Sequence, residues 1–362
     1  MIDVLVAGGG PAGLATAVNA ALAGMRAVVV EPRPTPVDKA CGEGLMPSGV
    51  EALRALGVRP AGHPLRGIRY LDARGHADAP FREGPGLGVR RTCLHEALAG
   101  RAAALGVTVV RGKVTAVRQD SGGVRAEVRR TGAKDTGESP PGAEDHTDGG
   151  ETIRARWLVA ADGLHSPLRD ALGLGLPDGA APRRYGLRRH YEVAPWTDFV
   201  EVHWAARAEA YVTPVSDGLV GVAVLGCERR GYDEHLRAFP ALLDRLTGPA
   251  VTPVRGAGPM RQRVRSRVRG RVLLVGDAAG YLDALTGEGV SLALLSARAL
   301  VESLRAGRPD TYERAWLRLS RAHRLLTGAL LTTRRHPAPA RLIVPAARTL
   351  PRVFGAAVNT LA

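Results

Sequence analysis

Apolar residues along the chain follow two patterns, which predict two kinds of secondary structure. Short continuous apolar runs, typical of strands buried on both faces, lie at residues 4–7, 27–30, 107–110, 158–161 and 272–275. Apolar residues at helical spacing predict helices over residues 14–23, 48–56, 94–105 and 290–304. Because strands and helices alternate, the pattern predicts an α/β protein with a Rossmann-like domain.

Strict alternation of apolar and polar residues marks a second group of strands, within residues 183–230. It predicts a separate, mostly antiparallel sheet. On such a strand Arg189 and Tyr191 share one face, while His190 takes the other. His203 and Tyr211 lie on neighbouring predicted strands, so these five polar side chains are candidates for contact with a ligand.

Between the two groups of strands, the pattern over residues 107–157 predicts a returning strand and a hairpin. The strands are predicted at residues 107–110, 114–117, 124–128 and 152–157. Inside the hairpin, residues 131–150 contain few apolar side chains and many Gly, Pro, Asp, Glu and Thr. Such a segment cannot bury enough surface to order itself, so we expect a disordered hairpin tip there.

These patterns divide the chain into interleaved domains. The first, with a Rossmann-like organisation, is predicted to comprise residues 1–67, 88–174 and 266–320. The second, a β-sheet domain, is predicted at residues 68–87 and 175–265. A helical segment follows over residues 321–362, interrupted by Pro337, Pro339, Pro345 and Pro351.

The formal net charge of +15 does not indicate a nucleic-acid partner. Lysine occurs only three times, at Lys39, Lys113 and Lys134, and the remaining basic residues are arginines scattered along the chain. The densest run, residues 261–271, carries Arg at alternate positions, which predicts one exposed face of a strand. Since the run has no aromatic side chains on which bases could stack, we expect no nucleic-acid binding.

Cysteine usage and hydropathy predict a cytoplasmic protein. Cys41, Cys93 and Cys227 are odd in number and widely spaced, so they predict neither a disulfide framework nor a zinc site, and no other residues have metal-ligand spacing. No apolar run approaches the roughly 20 residues of a membrane-spanning helix. Asp3 interrupts a start that already has the pattern of a core strand, so we expect no signal peptide.

The first strand runs directly into a glycine turn, Gly8-x-Gly10-x-x-Gly13, and a helix follows. The first glycine allows a tight turn, the second lets a pyrophosphate approach the backbone, and the third lets helix and strand pack closely. The next strand ends at Glu31, an acid that can accept both hydroxyls of an adenosine ribose. This ordered set predicts a dinucleotide site.

Two further strands also end in turns that contain Asp and Gly. In Ala161-Asp162-Gly163, the turn leads to Ser166-Pro167, a pair suited to the start of a helix. In Gly276-Asp277-Ala278-Ala279-Gly280, the turn is followed by Thr286-Gly287-Glu288-Gly289 and a long apolar helix. Ordinary turn chemistry explains each motif alone, because Asp and Gly favour turns. The alternative interpretation is that the turns contact the dinucleotide.

Taken together, these three motifs resemble those of the superfamily of FAD-dependent aromatic hydroxylases, such as the para-hydroxybenzoate hydroxylase-like enzymes, and geranylgeranyl reductases. The resemblance covers residues 1 to about 305 and implies FAD as cofactor. It implies that the ADP end is bound by Gly8, Gly10, Pro11, Ala12, Gly13 and Glu31. It implies further cofactor contacts from Lys39, Cys41, Arg91, Asp162, Gly276, Asp277, Gly287, Gly289 and Val290.

Within these contacts, the resemblance implies that Arg91 lies along the cofactor and that Asp277 binds its ribityl chain. The helix N-terminus at Gly287–Val290 would face the pyrimidine edge of the flavin, where a positive helix end stabilises the negative charge of the reduced ring. Cys41 has two open interpretations: a redox or contact residue beside the flavin, or a small packing residue. Together with Tyr211, it is a candidate for the catalytic residue.

The resemblance leaves two activities open. The favoured expectation is a monooxygenase that uses NADPH or NADH as a transient reductant and hydroxylates an aromatic or polyketide-like molecule by way of a flavin C4a-hydroperoxide. The alternative is a geranylgeranyl-reductase-like enzyme that reduces C=C bonds of an isoprenoid or quinone tail. The segment Lys39-Ala40-Cys41-Gly42-Glu43-Gly44-Leu45 favours the reductase. Tyr211-Val212-Thr213-Pro214 lacks the tryptophan of prenyl-reductase tunnels, and Ala284 replaces their usual proline.

The C-terminal segment has an apolar and arginine-containing sequence at residues 341–361. Such a segment can lie against a membrane surface or cap a substrate cavity, and it can also pack as an ordinary C-terminal helix. A peripheral membrane contact is therefore an expected partner beside the small-molecule substrate.

Overall fold

A computed structural model of the chain describes residues 1–131, 151–177, 179 and 182–362. The strands are β1 (Ile2–Ala7), β2 (Ala27–Glu31), β3 (Gly44–Leu45), β4 (His63–Leu65), β5 (Gly67–Asp72), β6 (Gly75–Pro80), β7 (Gly86–Gly88), β8 (Thr108–Asp120), β9 (Gly123–Arg130), β10 (Glu151–Ala160), β11 (Gly175–Leu176), β12 (Tyr185–Glu192), β13 (Phe199–Trp204), β14 (Ala208–Ser216), β15 (Leu219–Gly226), β16 (Arg255–Ala257), β17 (Arg263–Val264), β18 (Val268–Arg269) and β19 (Val272–Leu274). The helices are α1 (Pro11–Leu22), α2 (Pro47–Ala55), α3 (Arg91–Ala104), α4 (Pro167–Ala171), α5 (Tyr232–Leu236), α6 (Pro240–Leu243), α7 (Gly289–Arg305), α8 (Thr311–Leu319), α9 (Arg321–Arg334), α10 (Pro337–Ala340), α11 (Ile343–Thr349) and α12 (Pro351–Leu361), and a 3₁₀ turn spans Gly276–Ala279. Of the predicted hairpin tip at residues 131–150, only Thr131 belongs to the described residues.

The first sheet has a parallel centre in the order β8–β2–β1–β10–β19. Its apolar runs are buried as predicted: Val4, Leu5 and Val6 of β1 are 0% exposed. Helices α1, α3 and α7 pack together beside it and bury their apolar faces. This mixed α/β architecture confirms the predicted fold class.

The strands predicted separately at residues 107–110 and 114–117 form one long strand, β8. Its first half pairs in parallel with β2, and its second half pairs in antiparallel fashion with β9. The register shifts between Val114 and Ala116, which accounts for the break in the sequence pattern. Strands β9 and β10 continue the meander and return the chain to β1.

The second sheet has the order β16–β12–β15–β14–β13–β5–β6. Its pairs are antiparallel, as predicted, except that β13 lies parallel to β5. Strands β5 and β6 come from a short excursion between α2 and α3, so two distant parts of the chain build this sheet. Helices α11 and α12 pack against β6 and bury Ile343, Val344 and Phe354.

The prediction of one exposed arginine face over residues 261–271 is wrong. The run is divided into β17, β18 and a tight turn at Gly270, whose φ of 61° ends the extended backbone. Arg267 is buried: its Nη1 donates to Glu313 Oε1 at 2.8 Å, and its guanidinium lies 3.9 Å from the ring centroid of Trp316. Alternation assigns side chains to faces only while the backbone stays extended.

The C-terminal segment is helical, as predicted, and its prolines are compatible with the helices. Pro337 and Pro351 each occupy the first position of a helix, where the missing N–H costs no hydrogen bond. Among the residues that the structure describes, no helix is both long and apolar enough to cross a membrane.

Candidate functional site

The glycine turn between β1 and α1 has the geometry of a phosphate cradle. Gly8 has a φ of 109°, and a Cβ at Gly13 would lie 1.9 Å from the carbonyl oxygen of Gly8, so both positions require glycine. At Gly10 a Cβ would meet only Arg91 Nη2, at 3.7 Å. The turn is therefore tight where helix and strand pack, and open where the backbone N–H groups at the start of α1 can reach a phosphate.

Glu31 ends β2, beside this turn. Its Oε2 accepts the N–H of Gly9 at 2.7 Å, and its Oε1 accepts Nε of Arg33 at 2.7 Å. Burial alone would raise the pKa of Glu31, but these hydrogen bonds and the positive charge of Arg33 hold it below its ordinary value. The carboxylate is thus ionised, and a ribose at this place would share it with Arg33, which is 41% exposed.

Lys39 and Arg91 bring two cations to the open side of the glycine turn. Lys39 Nζ lies 3.2 Å from the position of a Cβ at Gly163, and Arg91 Nη2 faces Gly10. Burial, with the charges of Arg33 and Arg91, lowers the pKa of Lys39. Two cations beside a helix N-terminus are the donor set that a diphosphate requires.

Asp277 lies in the 3₁₀ turn after β19, close to the same two cations. Burial raises the pKa of its carboxyl group, while the charges of Arg91 and Lys39 oppose that rise. The neighbouring Gly276 packs on α1, since a Cβ there would lie 2.7 Å from Cβ of Ala12. The structure therefore brings the residues of the glycine turn into one cleft with Lys39, Arg91 and Asp277, as the sequence predicted.

His95 holds the glycine turn and was not found from the sequence. It lies on α3, is 2% exposed, and its Nε2 is 2.9 Å from the carbonyl oxygen of Gly9. Burial, the largest influence, lowers its pKa. Since that oxygen can only accept, Nε2 carries the proton and the imidazole is neutral. A single His in an amphipathic helix gives no sequence signal of such a contact.

Asp162 is used mainly within its own turn. Its Oδ2 accepts the N–H of Leu168 at 3.1 Å, and Ser166 caps α4 by accepting the N–H of Arg169 at 3.0 Å. The predicted cap is thus confirmed. Oδ1 of Asp162 is buried and has no hydrogen-bond partner among the described residues, so this one oxygen is available to a ligand.

The loop before α7 and the first turn of that helix contain Gly287, Gly289 and Val290, the predicted neighbours of the flavin pyrimidine edge. Two contacts fix this loop. The hydroxyl of Tyr211 donates to the carbonyl oxygen of Leu285 at 2.7 Å, and Thr286 Oγ1 lies 3.0 Å from Nδ1 of His323 on α9. The Tyr211 hydroxyl is therefore engaged in holding the loop.

A second contact of His323 involves Glu288, whose Oε2 lies 3.1 Å from its Nδ1. Burial raises the pKa of Glu288. His323 thus binds two side chains of the loop at once, and neither the histidine nor the glutamate was assigned a role from the sequence.

Cys41 lies in the segment that joins the cleft to the second sheet. Its Sγ accepts the N–H of Glu43 at 3.4 Å, and burial raises the pKa of the thiol. Cys41 is therefore a protonated thiol, not a thiolate. All three cysteines are free, and the described residues hold no cluster of three or more His, Cys, Asp or Glu side chains able to bind a metal ion.

The geometry of this cleft agrees with the comparisons. The sequence pattern of the family described as FAD binding domain matches residues 1–317, so the chain belongs to this family of FAD-binding proteins. It is a flavoprotein oxidoreductase of the aromatic hydroxylase and geranylgeranyl reductase superfamily, as the motifs predicted. When bound, FAD supplies hydride or electron transfer.

Two curated relatives illustrate the range of activities. The chain is 31% identical over 351 residues to a menaquinone reductase of Mycolicibacterium smegmatis, covering 89% of this chain and 80% of the relative. It is 28% identical over 330 residues to a rifampicin monooxygenase of Streptomyces venezuelae, covering 82% of this chain but 62% of the relative. Among solved structures, a geranylgeranyl bacteriochlorophyll reductase-like protein of Thermoplasma acidophilum aligns with a TM-score of 0.76 at 21% identity, covering 95% of this chain and 90% of that one.

Proposed function

We propose that this flavoprotein reduces a C=C bond in the isoprenoid tail of a quinone or a related lipid, with NADPH or NADH as the reductant. The observation that carries the proposal is the match to menaquinone reductases over most of both chains, at 31–32% identity. The segment around Cys41, which favoured a reductase at the sequence level, lies beside the cofactor cleft and supports the same activity.

The apolar surroundings of the loop before α7 suit such a tail. Leu285 belongs to a continuous hydrophobic cluster that includes Tyr70, Tyr211, Phe354 and Val358. The cluster runs from the cofactor side of the loop to the C-terminal helices. These side chains pack against one another, so a tail has to part them to bind; the cluster supplies an apolar environment beside the loop.

Reduction of the double bond adds a hydride to one carbon and a proton to the other. FAD, when bound and reduced by the nicotinamide, would supply the hydride. We assign the proton to Sγ of Cys41 because this thiol lies in the segment beside the cofactor cleft; burial raises its pKa, which keeps it protonated and also makes it a weak acid. Cys41→Ser keeps a proton donor and Cys41→Ala removes it, so the serine variant should retain more of the product-forming rate.

A second candidate is the monooxygenase favoured by the sequence alone. It is supported by the rifampicin monooxygenase of Streptomyces venezuelae and by a hydroxylase of Mycobacterium avium named for 3-(3-hydroxy-phenyl)propionate. The chain spans 62% and 57% of these relatives, and for that reason we place this activity second.

One experiment separates the two activities. The FAD-loaded protein is reduced anaerobically with NADPH or NADH, and detergent-dispersed menaquinone is then added while the product is followed by mass spectrometry. A gain of two hydrogens without oxygen that fragmentation places in the isoprenoid tail, and that persists after the ring is reoxidised in air, supports the reductase. A product that requires oxygen and gains one oxygen atom, from menaquinone or from a phenolic substrate, overturns it in favour of the monooxygenase. If neither NADPH nor NADH reduces the flavin, NAD(P)H is rejected as the reductant.

We also propose that the C-terminal segment contacts a membrane that contains the substrate. Residues 321–362 contain seven arginines and no Asp or Glu. Leu342, Leu350 and Val353 are 57%, 55% and 62% exposed beside them. Apolar side chains among cations favour an anionic lipid surface. Co-sedimentation with phosphatidylglycerol vesicles should exceed that with phosphatidylcholine, and Leu350→Ser with Val353→Ser should abolish the difference; equal sedimentation would reject the contact.

A further inference from the structure

Glu43 sits at the centre of a buried polar cluster between the cofactor cleft and the second sheet. Its side chain is 1% exposed, and its φ of 60° is the one positive value among the described non-glycine residues. Oε1 accepts the backbone N–H of Arg91 at 2.8 Å, and Oε2 lies 2.6 Å from Nε2 of His190 on β12. A strained backbone held by buried contacts indicates that the position of this carboxylate matters.

The protonation of the cluster follows from its donors. Nη1 of Arg188 lies 3.1 Å from Nδ1 of His190 and can only donate, so Nδ1 accepts and the proton lies on Nε2. His190 therefore donates to Glu43 Oε2. Both carboxylate oxygens are required as acceptors, one for Arg91 N–H and one for His190 Nε2–H.

The same cluster also binds the start of the segment that leads to Glu43, residues 38–43. Arg188 is the largest fully buried side chain in the described part of the chain, and its Nη2 donates to Asp38 and to the carbonyl oxygen of Lys39, the latter at 3.0 Å. At its other end, Glu43 Oε2 binds His190 on β12, and within the segment the N–H of Glu43 donates to Sγ of Cys41. Residues 38–43, which carry Lys39 and Cys41, are thus fixed to β12 at both ends.

The sheet is shaped to admit this carboxylate. A Cβ at Gly221 on β15 would lie 2.9 Å from Glu43 Oε2 and 3.5 Å from Cδ2 of His190. Gly221 therefore leaves the space in which the pair meets. The contact between Glu43 and His190 therefore requires Gly221 on β15, His190 on the neighbouring β12, and the left-handed backbone of Glu43 in the loop.

We propose that Glu43, His190 and Arg188 are positioning residues: the pair Glu43–His190 locks residues 38–43 to the second sheet and so sets where Lys39 and Cys41 lie against FAD. The segment is held by β12 of the second sheet, so a movement of β12 would be transmitted to the cofactor cleft. The inference rests on FAD binding and not on the choice between reductase and monooxygenase.

The decisive variant is Glu43→Gln, which has the same shape but only one acceptor. If the amide presents its NH₂ to Arg91, the N–H of Arg91 loses its acceptor. If it presents its NH₂ to His190, the proton of His190 moves to Nδ1, where Thr252 Oγ1 accepts it at 3.0 Å, and Arg188 Nη1 then loses its acceptor. The double variant Glu43→Gln with His190→Glu restores the balance, because a carboxylate at position 190 accepts both from the new amide at position 43 and from Arg188. Glu51→Gln is the matched control, since Glu51 is 72% exposed on α2.

Two readouts do not depend on turnover: the Kd for FAD from fluorescence titration, and the alkylation rate of Cys41 resolved by peptide mass spectrometry. We expect Glu43→Gln to raise both about tenfold, the size expected for one unpaired buried donor. Cys93, two residues after Arg91 on α3, reports whether the disturbance extends beyond residues 38–43, and its rate should rise much less than that of Cys41. The double variant should recover most of both effects.

Three results would overturn the proposal: wild-type values for Glu43→Gln, no recovery in the double variant, or an equal rise at Cys93, which would mean general unfolding. If Glu43→Gln does not fold, His190→Gln and His190→Leu replace it. Glutamine keeps a donor near Nε2 and should stay near wild type, whereas leucine should release Cys41. Equal labelling of these two variants would show that position 190 only fills space.

Discussion

Two glycines of the first turn should separate folding from cofactor binding. Gly13→Ala places a Cβ 1.9 Å from the carbonyl oxygen of Gly8 and 3.2 Å from Cβ of Ala161. Ordinary van der Waals contact begins at 3.4 Å, so α1 must move by 3.4 − 1.9 = 1.5 Å away from β1. Because α1 is packed between β1, α3 and α7, we expect a loss of about 3 kcal/mol, at the upper end of overpacking costs.

Gly10→Ala lies three positions before Gly13→Ala, but we expect it to leave the fold intact. Gly10 has φ −71° and ψ 179°, which any residue adopts, and the new Cβ meets Arg91 Nη2 at an ordinary 3.7 Å. The methyl group instead occupies the place where a diphosphate would approach. We therefore expect unchanged stability without FAD, and a Kd for FAD raised at least about tenfold, or ~1.4 kcal/mol.

The assay is thermal unfolding of both variants without FAD, followed by fluorescence titration with FAD. Gly13→Ala should lower Tm by about 6 °C, taking about 2 °C per kcal/mol for a long chain. Gly10→Ala should change Tm by less than about 1 °C. Equal losses of Tm in the two variants, or normal FAD affinity in Gly10→Ala, would refute this division of roles.

Three further predictions concern single charged groups. Asp277→Ala should sharply lower the FAD content of the purified protein, and an unchanged flavin-to-protein absorbance ratio would reject its role. Arg184→Met should destabilise the chain by about 3 kcal/mol, because the buried carboxylates of Glu209 and Asp283 lose the guanidinium with which they pair. Arg183 is exposed, so Arg183→Met should leave the stability unchanged, and equal urea midpoints of the two variants would contradict this. The lowered pKa of Glu31 means that its contribution to stability is complete above its ordinary value of 4.5 and is lost as the pH falls through the folded-state pKa. Acid should therefore destabilise the wild type more than Glu31→Gln, and identical pH profiles of the unfolding free energy would count against it.

The cofactor end of the fold was predictable because its signals are local. Gly13, Glu31 and Asp277 each end or follow an apolar strand, and parallel strands bring their carboxyl ends to one edge of the sheet. The α/β fold class and FAD as the ligand therefore followed from short stretches of sequence. The domain boundaries and the individual roles of the site residues stay predictions.

The contacts that hold the site were not predictable, because they join distant residues. His190 and Glu43 are 147 positions apart, and Gly9 and His95 are 86 apart. A polar residue on an alternating strand is ordinarily exposed, and nothing local distinguishes the buried Arg188. The failed prediction at residues 261–271 has the same origin, because the buried guanidinium of Arg267 forms an ion pair with Glu313 on α8, far along the chain.

Strand β1 lies between β2 and β10, and β10 also pairs with β19, so the central sheet joins residues near 5 to residues near 273. A ribosome that adds 5–20 residues per second needs roughly 13–54 s to cover that distance. Until β10 is made, β1 has one open edge, and from then until β19 is made, β10 has one; the glycine turn meanwhile lacks the partners that follow β19. We therefore expect a chaperone to protect this edge during translation, and FAD to enter only when synthesis is nearly complete. Riboflavin supply during expression should accordingly affect the yield of soluble protein more than its rate of synthesis.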